Sequence, residues 1–347
     1  MQEMRNRLHA WYQENKRDLP WRKTTDAYLI WLSEIMLQQT QVAQGLPYYT
    51  KFVERFPKVE DLAAAEEAEV LKLWQGLGYY SRARNLHYAA KQVMQEFDGV
   101  FPSSYDDLIT LKGVGEYTAS AVASFSSGEA KACVDGNVIR VLSRLFAMDL
   151  PYDSREGQKN IRELAEAFLD KKNSAIHNQA IMEFGALQCT PKNTSCEKCP
   201  FQDKCVAFAK DLVTTLPLKS KKTKVRNLHL YYFVFLAQEK TLIKQRSESG
   251  IWRNMYEFPV LESDKKVSKT DLLQRIADYS PQGSGELSFS ETYTHILSHR
   301  RIQAQFIQVQ MPDHLPQIAG TREIFLKDFD DYPVSRLMER FWEDFQA

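Results

Sequence analysis

Apolar residues in this chain follow two different rhythms. Up to about residue 211 they return at spacings of three and four: Leu8, Trp11 and Tyr12; Tyr28, Leu32, Ile35 and Met36; Leu108 and Leu111; Val138, Val141, Leu142 and Leu145. Such spacing gives each helix one apolar face and predicts a bundle. The helix of Tyr28 starts at Thr25 or Asp26, both capping residues, and further helices with polar outer faces are expected from about Tyr48 to Phe97. Beyond Asn227 the rhythm changes. Leu230–Leu236 is a continuous strand-like run, and Ile302, Ala304 and Phe306 alternate with polar neighbours at period two. Helices fit at 269–279 and 334–345. Between the two patterns, residues 212–226 hold Pro217 and the run Lys219-Ser-Lys-Lys-Thr-Lys224, the composition of a linker. The chain is therefore expected to be multi-domain, with an all-α domain over 1–211 and a smaller α/β domain over 227–347.

The stretch from Ser103 to Leu145 is the richest in signals. Ser103 or Ser104 can cap a short helix, and Gly113 and Gly115 in Leu111-Lys-Gly-Val-Gly-Glu-Tyr117 permit a tight turn. Glu116 opens a second helix with the small residues Ala119, Ala121 and Ala123, giving a helical hairpin over about 104–124. Backbone N–H groups at such a turn face outward, where a phosphate can sit. Further on, Val134-Asp-Gly-Asn137 starts another helix with Asp135 at its N-cap.

Other groups are candidates by residue type. Glu34 interrupts the apolar run Leu29-Ile-Trp-Leu-Ser-Glu-Ile-Met-Leu37. A carboxyl there lies either at the solvent edge or in a dry pocket, where desolvation raises its pKa and makes it a general acid. Arg17-Asp-Leu-Pro-Trp-Arg22 sets an aromatic between cations, a group able to stack on a base or pair with its acceptors. Gly76-Leu-Gly-Tyr-Tyr-Ser-Arg-Ala-Arg84 suits a loop that enters DNA with an aromatic wedge and phosphate partners. Cys189, Cys196, Cys199 and Cys205 follow C-x6-C-x2-C-x5-C, with Pro200 after the third. Four thiolates can hold zinc, but zinc sites usually show two C-x2-C knuckles and this chain has one. Disulfides are out of keeping with an intracellular chain. The fifth, Cys133, reads as a buried apolar residue.

Composition narrows the classes. The 347 residues carry 45 basic and 45 acidic side chains, so bulk charge gives no argument for nucleic acid. By segment, residues 1–211 hold 26 basic and 28 acidic groups, 227–347 hold 14 and 17, and 212–226 hold 5 and none. Positive charge is concentrated in the joint. No run reaches the length of a membrane helix, and Met1-Gln-Glu-Met-Arg-Asn6 is no signal peptide, so an intracellular, cytoplasmic protein is expected.

A glycine hairpin followed at this distance by Val-Asp-Gly-Asn resembles the helix-hairpin-helix DNA glycosylases of the endonuclease III superfamily, in which that Asp is catalytic. Ser33-Glu-Ile-Met-Leu-Gln-Gln-Thr-Gln-Val42 resembles the signature of adenine DNA glycosylases of the MutY type. The cysteine spacing is similar to that of the superfamily's [4Fe–4S] cluster, and the C-terminal pattern resembles the Nudix-type domain of MutY proteins. No Nudix catalytic box is present, so pyrophosphatase activity is not expected.

The resemblance implies a monofunctional, monomeric glycosylase of base excision repair. Its substrate would be double-stranded DNA carrying A opposite 8-oxoguanine or G, and no membrane would be involved. It makes Glu34 the acid that protonates an extruded adenine at N7, and Asp135 the carboxylate that stabilises the oxocarbenium-like sugar or a covalent adduct. Tyr117 stands where bifunctional endonuclease III enzymes carry a lysine nucleophile, so strand cleavage should be weak or absent. Arg17, Trp21, Arg22, Gly113, Gly115 and Gln179 fall on substrate-binding positions, and Gln39 and Tyr79 on intercalating ones. Ser298 and His299 match a Phe-Ser-His loop that reads 8-oxoguanine, with Leu297 replacing the aromatic. Cys189, Cys196, Cys199 and Cys205 would hold the cluster, in a loop over 189–205 that offers Lys198 and Lys204 to DNA. Lys112 replaces a usual hairpin proline. One alternative is a pyrimidine-specific endonuclease III homologue, disfavoured by Tyr117 and the C-terminal domain. Another is a non-catalytic iron–sulfur DNA-binding module, disfavoured by the retention of Glu34 and Asp135.

Overall fold

The computed structural model describes residues 1–220, 225–246, 250–281, 283–297 and 299–346. Ser298 and part of the basic joint, 221–224, lie outside the described residues. The chain divides into two compact units, one of Met1–Ala64 with Asn85–Lys221 and one of Ala65–Arg84 with Lys222–Ala347. Two segments thus sit differently from a division at 212–226. Ala65–Arg84 packs with the sheet. Leu212–Ser220 stays with the helices, because Leu216 is buried, Tyr152 N–H donates to Leu218 O at 2.9 Å, and Ser220 donates twice to Asp153.

The helices are α1 (Gln2–Asn15), α2 (Ala27–Met36), α3 (Val42–Arg55), α4 (Val59–Ala64), α5 (Glu67–Leu73), α6 (Ser81–Glu96), α7 (Tyr105–Leu108), α8 (Glu116–Ser127), α9 (Gly136–Leu145), α10 (Arg155–Phe168), α11 (Ser174–Leu187) and α12 (Val206–Ala209). Of these, α5 and the start of α6 belong to the second unit. Caps fall where side-chain acceptors were expected. Asp26 accepts from the N–H groups of Tyr28 and Leu29, Ser104 from Asp107, and Asp135 from Val138. In the first unit, α2 packs on α8, and α11 on both α1 and α9. Ala119, Ala121 and Ala123 of α8 are fully buried, small residues on more than one side of a helix that packs against both α2 and α11. A second core joins Leu8, Val141, Leu142, Ile161, Phe168 and Phe184 under α9. These two packings fix the backbone from which Glu34, Tyr117 and Asp135 project.

The second unit contains β1 (Arg226–Leu236), β2 (Lys240–Gln245), β3 (Tyr256–Glu257), β4 (Val260–Ser263), α13 (Lys269–Tyr279), β5 (Leu287–Phe289), β6 (Tyr293–Ile296), β7 (Arg300–Gln310), β8 (Thr321–Phe325) and α14 (Arg336–Gln346). One sheet has the order β4-β1-β7-β5, with β6 also on β7, and the other is β3-β2-β8. β1 and β7 run parallel, from Arg226 opposite Arg300 to Leu236 opposite Gln310. The apolar run Leu230–Leu236 is continuous because both faces of β1 are covered. On one face Phe233 and Phe235 meet Leu272 and Ile276 of α13. On the other, Tyr232 stacks on Phe306, which stacks at 3.8 Å on Phe341 of α14.

Candidate active site

Two segments converge on Glu34 of α2, whose side chain is almost fully buried. Tyr117 on α8 donates its hydroxyl to Glu34 Oε2 at 2.5 Å. Arg22, from the turn before α2, places Nη1 at 3.0 Å from Glu34 Oε1. Beyond this ion pair, Glu34 Oε1 has no hydrogen-bond donor among the described residues. The Arg22 guanidinium also lies over the Phe125 ring, 4.3 Å from its centroid. Burial, followed by the adjacent Glu34 charge, drives the Tyr117 phenol well above its ordinary pKa. Tyr117 therefore stays a donor: one oxygen of Glu34 is held by its hydroxyl and the other faces the Arg22 guanidinium.

Asp135 is fixed by its own helix. Oδ1 accepts from Val138 N–H at 2.7 Å and Oδ2 from Asn137 Nδ2 at 2.7 Å. Asn137 Oδ1 in turn accepts from Arg140 Nη2 at 2.9 Å. Arg140 continues to the carbonyls of Gly185 and Cys189, both at 2.7 Å. Burial pushes the Asp135 pKa above the usual aspartate value, against the pull of its two donors. Gly185 of α11 touches this relay directly, because a Cβ there would stand 2.6 Å from Asn137 Cβ and 3.0 Å from its backbone. Gly185→Ala is expected to cost about 1–3 kcal/mol of stability by overpacking and to lower excision by displacing Asn137. Thermal denaturation beside a single-turnover assay would check both effects.

Glu34, Tyr117, Asp135 and Asn137 line one cleft of about 600 Å³ together with Arg17, Trp21, Arg22 and Gln179, within the size range of small-molecule sites. The Arg17–Arg22 segment builds its wall and offers no exposed stacking platform. Trp21 is 1% exposed and sits edge-on to Tyr49. Arg17 is clamped by Glu183 through two guanidinium contacts at 2.7 Å and its own N–H at 2.9 Å. Gln179 accepts from Tyr12 OH at 2.8 Å.

A neighbouring opening joins Glu34 and Asp135 to Gln39, Gly113 and Gly115. Gly113 has φ +80, and a Cβ on it would lie 2.7 Å from Asn85 Cβ, so this turn requires glycine twice over. Lys112 N–H is already used by Gln92, whereas the amides of Gly113 and Gly115 make no hydrogen bond among the described residues. Gln39 is exposed at φ 55.

In the second unit, Tyr79 is 45% exposed with φ 50. The arginines near it have partners within the protein. Arg82 is buried and donates to Gly78 O, and Arg84 donates to Arg253 O at 2.9 Å. Leu297 and His299 lie in the turn between β6 and β7, where Leu297 N–H donates to Arg300 O and His299 O accepts from Arg226 N–H.

Cys189, Cys196, Cys199 and Cys205 line one cavity with Arg144, Phe184 and Phe208. Among the described residues, no group of three His, Cys, Asp or Glu is placed to hold a metal ion. The surroundings nevertheless offer donors to two of the sulfurs. The buried Arg144 guanidinium lies 3.4 Å from Cys189 Sγ, and Phe201 N–H donates to Cys199 Sγ at 3.4 Å. Lys198 is exposed, while Lys204 lies at 4.0 Å from both Glu3 and Asp203.

Comparison with known proteins agrees with this arrangement. A family model for the HhH-GPD superfamily base excision DNA repair protein matches residues 32–167, and one for the NUDIX domain matches 231–344. Fold and site together define a helix-hairpin-helix DNA glycosylase with a Nudix-like C-terminal domain. An adenine DNA glycosylase of Buchnera aphidicola (from Schizaphis graminum) is 36% identical over 266 residues, 76% of either chain. That of Homo sapiens is 31% identical over 403 residues, covering 99% of this chain and 74% of the human one. A solved thermostable thymine-DNA glycosylase matches with a TM-score of 0.56 and 30% identity over 60% of this chain and 96% of its own. An endonuclease III–DNA complex, at 21% identity and a TM-score of 0.53 over 61% of this chain and 97% of its own, shares the fold. The chain belongs to the adenine DNA glycosylase family.

Proposed function

We propose that the chain hydrolyses the N-glycosidic bond of adenine opposite 8-oxoguanine or G in double-stranded DNA, acting as a monomer in the cytoplasm. The observation that carries this reading is the pair of carboxyls, Glu34 and Asp135, in different environments of one cleft. Adenine must leave the stack before its bond is reachable. Glu34, held at Oε2 by Tyr117, gives its proton to N7 and makes adenine a neutral leaving group. Asp135, aimed by Val138 N–H and Asn137, faces the developing positive charge on the sugar, as paired carboxylates divide the work in glycosidases. The free amides of Gly113 and Gly115 suit a backbone phosphate. Water completes hydrolysis and leaves an abasic site. Tyr117 has no amine, so no Schiff base forms there and the strand is not cut. An assay with and without alkali tests the reading, because abasic product breaks only with alkali.

Cys189, Cys196, Cys199 and Cys205 would hold a [4Fe–4S] cluster, whose four iron–thiolate bonds would brace the loop over 189–205. Anaerobically purified protein is expected to be brown, with about four irons per chain. Stoichiometric zinc without visible absorption would refute that assignment. Lesion reading belongs to Ser298 and His299. Ser298→Ala with His299→Ala should reduce the preference for A opposite 8-oxoguanine over A opposite G by roughly 1–3 kcal/mol per lost bond. The chemical step at saturating enzyme should be largely spared. Full discrimination retained across a range of salt concentrations would contradict it.

A further inference from the structure

We propose that Gln75 is a positioning residue that ties the Tyr79 loop to the C-terminal sheet domain, so that partner-base preference depends on this tie. The proposal rests on reading Tyr79 as an intercalating residue. The second unit contains both the Tyr79 loop, within Ala65–Arg84, and the turn of Leu297 and His299. Glu34, Tyr117 and Asp135 all lie in the first. The two roles are thus held by different units. The first carries the paired carboxyls, and the second carries both elements assigned to the partner base, although one of these is encoded amid the helical sequence.

The loop has a rigid frame. Trp74 Nε1 donates to Gly78 O at 3.0 Å, and Arg82 Nη2 donates to the same carbonyl at 3.1 Å. The Arg82 guanidinium lies 5.3 Å from the Trp74 ring and 5.4 Å from the Tyr79 ring. Arg82 N–H also donates to Tyr79 O at 2.8 Å. Trp74 and Arg82 thus hold the backbone that carries Tyr79.

What fixes the frame is a line of polar contacts to the domain behind it. Gln75, adjacent to Trp74, uses both ends of its amide. Nε2 donates to Glu339 Oε1 on α14 at 3.0 Å, and Oε1 accepts from Val334 N–H at 3.1 Å. Glu67 at one end of the segment accepts from Asn254. Arg84 at the other donates to Arg253 O. Lys72 Nζ, one turn earlier, reaches Gln75 Oε1 and Tyr332 O, both at 3.4 Å. Gln75 is the member of this line that adjoins the frame itself and bonds both α14 and the residue Val334 before it. Losing it loosens the loop at its frame, with the outer ties of Glu67, Lys72 and Arg84 left in place, and touches no catalytic side chain.

The test uses the full chain and duplexes with 2-aminopurine beside the mispair, whose fluorescence reports unstacking. Gln75→Ala is expected to weaken that signal and to reduce the preference for A opposite 8-oxoguanine over A opposite G by about 3–10-fold, with the rate at saturating enzyme within about twofold of wild type. Exchanging the pair, Gln75→Glu with Glu339→Gln, leaves an acceptor for Val334 N–H and reverses the other bond, and should restore both readouts. Unchanged fluorescence and preference in Gln75→Ala would overturn the tie. So would a saturating rate that falls as far as the preference does, since that marks a general structural defect. Tyr79→Ala is the control. If it too leaves fluorescence and preference intact, the intercalation reading fails and the tie with it. If Tyr79→Ala is defective while Gln75→Ala is normal, the tie alone fails.

Discussion

Glu34→Gln should abolish adenine release while leaving binding to the lesion duplex near wild type. Loss of a positioned acid is usually worth about 10²–10⁴ in rate. The amide keeps the volume of a side chain that is almost fully buried, and its oxygen can still accept from Tyr117, which now bonds Glu34 Oε2. What disappears is the transferable proton and, in the ionised state, the charge that faces Arg22. Single-turnover excision and a gel-shift titration on the same duplex separate the two effects. Near-normal base release by this variant would remove Glu34 from the mechanism.

Asp135→Asn should have an effect of similar kind, on the order of 10²–10³ in rate, because a fixed charge facing the sugar is lost. The helix should survive, since an amide oxygen can still cap Val138 N–H, the bond now made by Oδ1. The wild-type pH profile carries a second signature. Asp135 works as the carboxylate, and burial holds its pKa above that of an ordinary aspartate. The Asp135 contribution to the rate is therefore present above that raised value and is lost as pH drops through it, at a higher pH than an exposed Asp would give. Asn137→Ala removes a donor that favours the charged form, so the acidic limb should move further up. A limb that stays in place, measured by single-turnover rates across the acid range, would break the link between Asp135 and the relay.

Much of the site was legible because it is local. Asp135 as an N-cap, Gly113 in a turn and Glu34 on an apolar helix each follow from a few neighbouring residues, and the structure gives each that local geometry. Convergence was harder. Nothing in the run Arg17–Arg22 shows that Trp21 is interior or that Arg17 meets Glu183, which is 166 positions away. The reach from Asn137 through Arg140 to the Cys189 carbonyl was likewise hidden. Arg140 sits three positions after Asn137, which is a signal only once the helix is known to carry the site. The packing of Ala65–Arg84 with the sheet was invisible for a general reason. Periodicity tells which face of a helix is apolar, but not which body covers it. A deletion after Thr215 would consequently remove the support of the Tyr79 loop along with the lesion-reading turn.

The central claim is adenine release directed by the partner base. One measurement addresses it most directly: single-turnover cleavage of duplexes with A opposite 8-oxoguanine, G or T, each developed with and without alkali. Rates should fall in that order, and the strand should break only after alkali, as expected of an enzyme that leaves an intact abasic site with Tyr117 in place of an amine. Removal of a pyrimidine with strand scission in the absence of alkali, or tight binding with no base released from any duplex, would contradict it.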